Sequence, residues 1–217
     1  MPKQVAVIGL GRFGSTVART LFQLGHDVLG VDADERLVHE ITGQVTHAVQ
    51  ADATDEEALR ELDIANFDAV IVAIGGNLEA SILGTMLVKR LGARYVVSKA
   101  RSGVHGEILA RVGADKVVYP ERDTGVRVAH SFALPNVQDY LDVAPNYGVS
   151  KLVPPKHFLG KSLDELNLRS RFGIMVLIIV RGQEIILTPA RDEIIREGDV
   201  LVVAGRDEQL ERLSAGP

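Results

Sequence analysis

The stretch Val5 to Gly14, VAVIGLGRFG, constrains this chain more than any other. An apolar run of strand length feeds into Gly9, Leu10, Gly11, Arg12, Phe13 and Gly14, and an amphipathic segment from Ser15 to Leu24 follows at once. Strand, glycine turn and helix in that order form the context in which G-x-G-x-x-G takes a nucleotide. The glycines let the backbone approach a pyrophosphate, and a helix start offers unpaired N–H groups with the positive end of its dipole. Phosphate is expected on Gly11 to Gly14. The alternative is a tight turn that holds no ligand.

The next segments extend this unit. Asp27 to Val31 reads as a second strand ending at Asp32, near the roughly 20-residue spacing at which a Rossmann unit places a carboxylate on ribose hydroxyls. A carboxylate there repels a 2′-phosphate, so NADP is disfavoured; an N-cap for a helix starting near Asp34 is its other role. Val45 to Ala51 gives a third strand, after which Asp52 or Thr54 is available as a helix cap. Asp52 stands at a strand's carboxyl end, where ligands of open α/β sheets collect, and can accept from an adenine amino group, capping being its other role. Ala69 to Ala73 is a continuously apolar strand of the buried parallel kind. Ile74, Gly75, Gly76 and Asn77 follow it, giving either backbone clearance beside a nucleotide or a simple turn. Tyr95 to Ser98 ends in Lys99, Ala100 and Arg101, whose cations suit the outer phosphates of a polyphosphate. Lys116 to Tyr119 makes a sixth strand, and Pro120 and Glu121 open a helix toward Phe132. This alternation predicts an α/β fold, a Rossmann-like doubly wound parallel sheet over residues 1–134.

Pro135 to Asp139 reads as a hinge, because the pattern changes there from βα alternation to mostly strand. Residues 140–217 are expected to form a small α+β carboxy-terminal domain. Its strands are read at Tyr140 to Val143, Ser150 to Val153, Ile174 to Arg181, Glu184 to Leu187 and Val200 to Ala204. A short helix at Ser162 to Leu166 and a last helix capped by Asp207 complete it. A lobe of this size is marginal alone, so its strands could bury a face against another copy.

Charge and composition exclude several functions. There are 14 basic and 18 acidic residues over 1–139 and 10 and 11 over 140–217, so neither part has the basic footprint of a nucleic-acid binder. Zero cysteines rule out disulfides, thiolate metal sites and cysteine nucleophiles. No signal-peptide pattern opens the chain and the longest apolar run is Ile174 to Val180, so a soluble chain of the cytoplasm is expected. The histidines at 26, 39, 47, 105, 130 and 157 are scattered, only His105 falling near the predicted cleft. No nucleophile elbow or P-loop is present. A small NAD-dependent oxidoreductase would have to use Lys99 or His105. The alternatives are a nucleotide sensor and a redox-responsive transcriptional regulator, the last disfavoured by the acidic balance.

VAVIGLGRFG, then VDAD at Val31 to Asp34, ADAT at Ala51 to Thr54, SKARS at Ser98 to Ser102 with His105, VVYPE at Val117 to Glu121, GKSLDELNLRSRFG at Gly160 to Gly173 and EGDVLVVAG at Glu197 to Gly205 occur in this order. Taken together they resemble the cytosolic RCK proteins, the KtrA/TrkA-type regulatory subunits of bacterial potassium uptake systems. The resemblance spans essentially the whole chain. It implies a non-enzymatic gating subunit, a homo-oligomer of dimers assembled into an octameric ring, docked from the cytoplasm onto an integral membrane potassium-translocating subunit, with no nucleic-acid partner. ATP and ADP are the implied ligands, with NAD or NADH as further ones. By the same resemblance Gly9, Gly11 and Gly14 hold phosphates, Asp32 the ribose, and Asp52 with Ala53 the adenine, with Phe13 a further cofactor-binding position. Ile74 and Gly75 complete the cofactor wall, and Arg12 senses the terminal phosphate. Lys99 supports phosphates or ribose, and Glu121 lies at a subunit interface with a divalent cation.

Overall fold

The computed structural model describes residues 1–133 and 136–215. The chain divides into two compact units, Met1–Glu121 and Arg122–Pro217. The expected hinge at 135–139 begins on Pro135, outside the described residues; Val137 already belongs to a strand.

The first unit alternates strand and helix throughout: β1 (Gln4–Ile8), α1 (Arg12–Gln23), β2 (Asp27–Asp32), α2 (Glu35–Ile41), β3 (His47–Gln50), α3 (Glu56–Glu61), β4 (Ala69–Val72), α4 (Leu78–Arg90), β5 (Val96–Lys99), α5 (Gly103–Arg111) and β6 (Lys116–Val118). The six strands lie in the order β3-β2-β1-β4-β5-β6, and every neighbouring pair is parallel. That is the Rossmann order, with the strand sequence reversing between β1 and β4.

Two-residue alternation explains why the central strands must be covered on both faces. On β1, Val5 and Val7 pack with Ala18, Val38 and Ile41, whereas Ala6 and Ile8 pack with Leu59, Val72, Leu87 and Val88. Successive strand side chains point to opposite faces, so one short apolar run feeds two cores. Each fully buried aliphatic side chain contributes about 1.5–3 kcal/mol of hydrophobic stabilisation.

α6 (Pro120–Ala133) carries the boundary between the units and buries none of its described residues. The second unit holds β7 (Val137–Ala144), β8 (Tyr147–Leu152), α7 (Leu163–Leu166), α8 (Leu168–Phe172), β9 (Met175–Arg181), β10 (Glu184–Leu187), β11 (Asp199–Arg206) and α9 (Asp207–Ala215). Its strands form an antiparallel sheet in the order β10-β9-β11-β8-β7. One apolar cluster, including Tyr140, Leu152, Phe158, Ile179, Leu201 and Leu210, fills it. Two polar devices pin the loops. Ser162 and Glu165 form a reciprocal capping box at the start of α7. Arg181 donates Nε to Oδ1 of the fully buried Asp199 at 2.8 Å and Nη1 to Glu193 at 2.9 Å.

Three expectations need adjusting. The first concerns the cap of α3, which is Asp55, whose carboxylate accepts from the N–H groups of Glu57 and Ala58. Asp52 instead accepts from Thr54, through both its N–H and its hydroxyl. At the carboxy-terminal end, α9 starts at Asp207 itself, and that carboxylate accepts the Tyr140 hydroxyl at 2.7 Å. α8 has no counterpart in the sequence reading. Among the described residues no helix is long and apolar enough to cross a membrane.

Candidate nucleotide-binding site

The carboxyl ends of β1, β2 and β4 and the segment after β3 surround a cavity of about 410 Å³. Its lining includes Gly9, Gly11, Asp32, Asp52, Ala53, Ile74 and Gly75, seven of the residues singled out above. The reversal of strand order opens the crevice at this edge, and the volume lies within the range of small-molecule sites.

Each glycine in the turn has a different steric reason. Gly9 adopts φ +96°, and a Cβ there would come within 2.9 Å of the Ala73 carbonyl carbon and the Ile74 nitrogen. Its N–H donates to Val31 O at 2.8 Å, locking the turn onto β2. Gly14 is closed to any side chain, because a Cβ would fall 1.8 Å from Gly9 O where the first turn of α1 packs on the loop. Gly11 is the opposite case: a Cβ there would meet nothing within 4 Å. The two outer glycines hold the turn's shape, and the middle one keeps its mouth open.

Gly11 is also the N-cap of α1, and no side chain caps that helix. The next four α-helices are each capped by a side chain: α2 by Asp34, α3 by Asp55, α4 by Asn77 and α5 by Ser102. The first turn of α1 carries no acidic residue either. Its leading N–H groups and dipole are therefore free of a competing internal carboxylate at the cavity, which is the arrangement that binds anions.

Asp32 sits at the cavity rim on the end of β2. Its Oδ2 accepts from Leu10 N–H at 2.6 Å and its Oδ1 from Asp34 N–H at 2.9 Å. Asp34 is the cap of α2, so Asp32 is left for another role. Each carboxylate oxygen keeps a second acceptor position, enough for two ribose hydroxyls. The hydrogen bonds from Thr54 hold the Asp52 carboxyl, after the neighbouring β3, below its ordinary value and keep it ionised.

The structure sets the other predicted residues beside this cavity. Gly14 is buried under the turn, and Arg12 is exposed at the first position of α1. Lys99, at the end of β5, donates Nζ to Glu121 Oε1 at 2.6 Å. That ammonium lies 5.7 Å from the Phe13 ring centroid and would lie 3.3 Å from a Cβ on Gly75. Phe13, Gly75, Lys99 and Glu121 therefore make a second cluster at the same edge. Its pairing joins residues far apart in the chain, and only the position of Lys99 at a strand end signalled it.

Among the described residues no group of three or more His, Asp or Glu side chains is arranged to hold a metal ion. His105 is packed inside α5, its Nδ1 accepting from Arg101 N–H at 3.2 Å. Burial, with the charge of Arg101, lowers its pKa and keeps the imidazole neutral.

Comparison with known proteins finds two family models along the sequence. The TrkA-N domain matches residues 5–120 and the TrkA-C domain residues 150–215. The chain is 42% identical over 205 residues to Ktr system potassium uptake protein C of Bacillus subtilis (strain 168), covering 94% of this chain and 93% of that protein. It is also 42% identical over 210 residues to Ktr system potassium uptake protein A of the same organism, covering 97% and 95%. Among solved structures, the GsuK RCK domain superposes with a TM-score of 0.69 at 22% identity, over 100% of this chain and 48% of that one.

Proposed function

The chain belongs to the TrkA/Ktr family of potassium uptake proteins, and from that premise we propose that it is a nucleotide-sensing regulatory subunit of a potassium uptake system. The observation that carries this reading is the uncapped α1 amino terminus opening onto a cavity whose rim holds the Asp32 carboxylate. Adenine nucleotide fits that geometry. Phosphates take the N–H groups above Gly11, ribose hydroxyls take Asp32, and the base lies toward Asp52 and Ala53. ATP and ADP are the principal ligands, with NAD or NADH compatible with the same ribose and phosphate contacts.

Arg12 is the residue assigned to distinguish the ligands. Two nucleotides differing by one phosphate move an equilibrium only through contacts that differ between them, and a guanidinium at the first turn can grip a terminal phosphate in bidentate fashion. No chemical step is assigned to the site. Of the two side chains a hydride-transfer enzyme would use, Lys99 is an ion-paired ammonium and His105 a buried imidazole.

The output is the arrangement of subunits. Residues 1–134 form the nucleotide lobe, 135–139 the hinge and 140–217 the carboxy-terminal lobe. Copies pair and assemble into an octameric ring beneath the potassium-translocating subunit, so the chain works at the cytoplasmic face of the membrane through its partner. A divalent cation at Glu121 would draw its remaining ligands from nucleotide phosphates or from a second copy. Isothermal titration with ATP, ADP, NAD and NADH, beside light scattering for assembly mass, tests the reading. Stoichiometric ATP and ADP binding by an oligomer is expected; a monomer that binds only dinucleotides would overturn it.

A further inference from the structure

His105 is an imidazole that the nucleotide site does not use. It is 2% exposed, in the first turn of α5, and two hydrogen bonds close the β5–α5 turn around it. Its backbone N–H donates to Ser102 Oγ at 3.2 Å, and its Nδ1 accepts from Arg101 N–H at 3.2 Å. A ring nitrogen that accepts carries no proton, so the proton of the neutral ring sits on Nε2. Nε2 is buried and has no hydrogen-bond partner among the described residues. An unpaired buried donor is costly, and that cost is relieved whenever the ring swings out to water.

Protonation removes the one bond the ring accepts. With a proton on Nδ1, two donors face each other, the imidazolium and the Arg101 N–H. Burial and then the charge of Arg101 oppose the cation as well. Among the described residues no carboxylate offsets them. α5 packs on α4 and β6, but Glu79 of α4 and Glu107 of α5 are exposed. Lys89 of α4 is tied to Asp115 beyond the far end of α5, and Lys99 of β5 to Glu121. After β6, Tyr119 packs under the same turn, its hydroxyl 1.8 Å from where a Cβ on Gly106 would lie. The turn follows directly on the end of β5, where Lys99 Nζ would stand 3.3 Å from a Cβ on Gly75, a residue of the cavity wall. His105 thus holds the backbone behind that wall.

We propose that His105 is a proton-operated latch: neutral, it holds the β5–α5 turn closed behind the cavity wall; protonated, it releases Arg101 and the turn opens, so that proton and nucleotide oppose one another. The antagonism rests on the nucleotide reading above; the latch itself does not. A closed turn that refuses the proton opens about tenfold more often one pH unit below the free imidazole value of about 6.5. By reciprocity, a nucleotide that needs the wall in place resists that opening.

The test is amide hydrogen exchange of the full chain at about pH 7.5 and about pH 5.5, corrected for intrinsic exchange, one unit on either side of the free imidazole value. Wild type is compared with His105→Asn, whose Oδ1 can accept from Arg101 and does not titrate. The wild-type Arg101 amide is expected to lose about tenfold in protection at the lower pH, and the variant less than about twofold. Saturating ADP is expected to restore the wild-type protection there. Exchange of the imidazole Cε1–H, followed by mass spectrometry in the wild type alone, should give His105 a midpoint below about 6.5, a readout that stands even where the variant fails to fold. Arg101 protection that ignores pH, an equal loss in His105→Asn, or a His105 midpoint at or above that value would overturn the latch. Protection indifferent to ADP in a chain that binds it would overturn the antagonism. A chain that binds no ADP would overturn the nucleotide reading, while the ligand-free measurement still decides the latch.

Discussion

Gly11→Asp is the substitution for which stability and binding are expected to move in opposite directions. Gly11 is the N-cap of α1 with φ −61° and ψ −175°, a conformation open to any L residue. A Cβ at this position meets nothing within 4 Å. Aspartate is a preferred N-cap, worth a few tenths of a kcal/mol over glycine, and its charge adds about 0.3–1 kcal/mol against the helix dipole. The variant should therefore unfold about 2–6 °C higher than the wild type in the absence of ligand. The same carboxylate takes the N–H groups that a phosphate needs and repels it. Two charge-assisted hydrogen bonds lost at about 1.5 kcal/mol each weaken ADP by about 100-fold or more. Thermal unfolding by circular dichroism and calorimetric titration with ADP measure the two effects on one sample. Higher stability with undiminished ADP affinity would place the phosphate elsewhere. Lower stability would show that the open space at Gly11 serves the fold.

Arg12→Ala should weaken ATP by about tenfold more than ADP with the unfolding midpoint unchanged, since Arg12 is exposed and a charge-assisted contact is worth about 1.5 kcal/mol or more; equal losses in paired titrations would remove its role as phosphate counter. Asp32→Asn should weaken every adenosine ligand alike, and should cost about 1–3 kcal/mol of stability in a urea titration, because an amide cannot accept from both Leu10 and Asp34. Asp199→Ala should destabilise by about 3–5 kcal/mol, read by the same unfolding assay, and leave ADP binding intact. Burial raises the Asp199 carboxyl, but the bonds from Arg181 and Arg196 outweigh it and hold the group below its ordinary 3.8. A lowered folded pKa means its stabilisation is full above the unfolded value and is lost as pH falls through the folded one. The wild type should thus lose stability below about pH 4, with a shallower loss in Asp199→Ala.

The strands and the glycine turn were legible because their causes are local. β1, β2, β4 and β5 are apolar runs bounded by glycine or charge, and the turn glycines sit where φ and clearance demand them. Asp32 was placed by spacing, and the structure adds the reason it is free for a ligand, since Asp34 takes the capping role. The cap of α3 was not legible: Asp52, Thr54 and Asp55 can each cap, and only the path of the chain selects Asp55. β7 and β8 proved longer than their apolar stretches, because the pairing of Val137 with Leu152 through Ala144 with Tyr147 continues across polar and glycine positions. α8 is five residues long and follows Asn167 in the left-handed region, too short for a periodic signal. The Lys99–Glu121 pair joins β5 to the start of α6, a contact that no local pattern encodes.

Hydrogen exchange of the full chain with and without saturating ADP tests the central claim most directly. The account predicts added protection at residues 9–14, 32–33, 51–53 and 74–77, the segments that meet at the cavity, with the strongest change at the first turn of α1. Protection that spares the glycine turn and falls on another surface would contradict it.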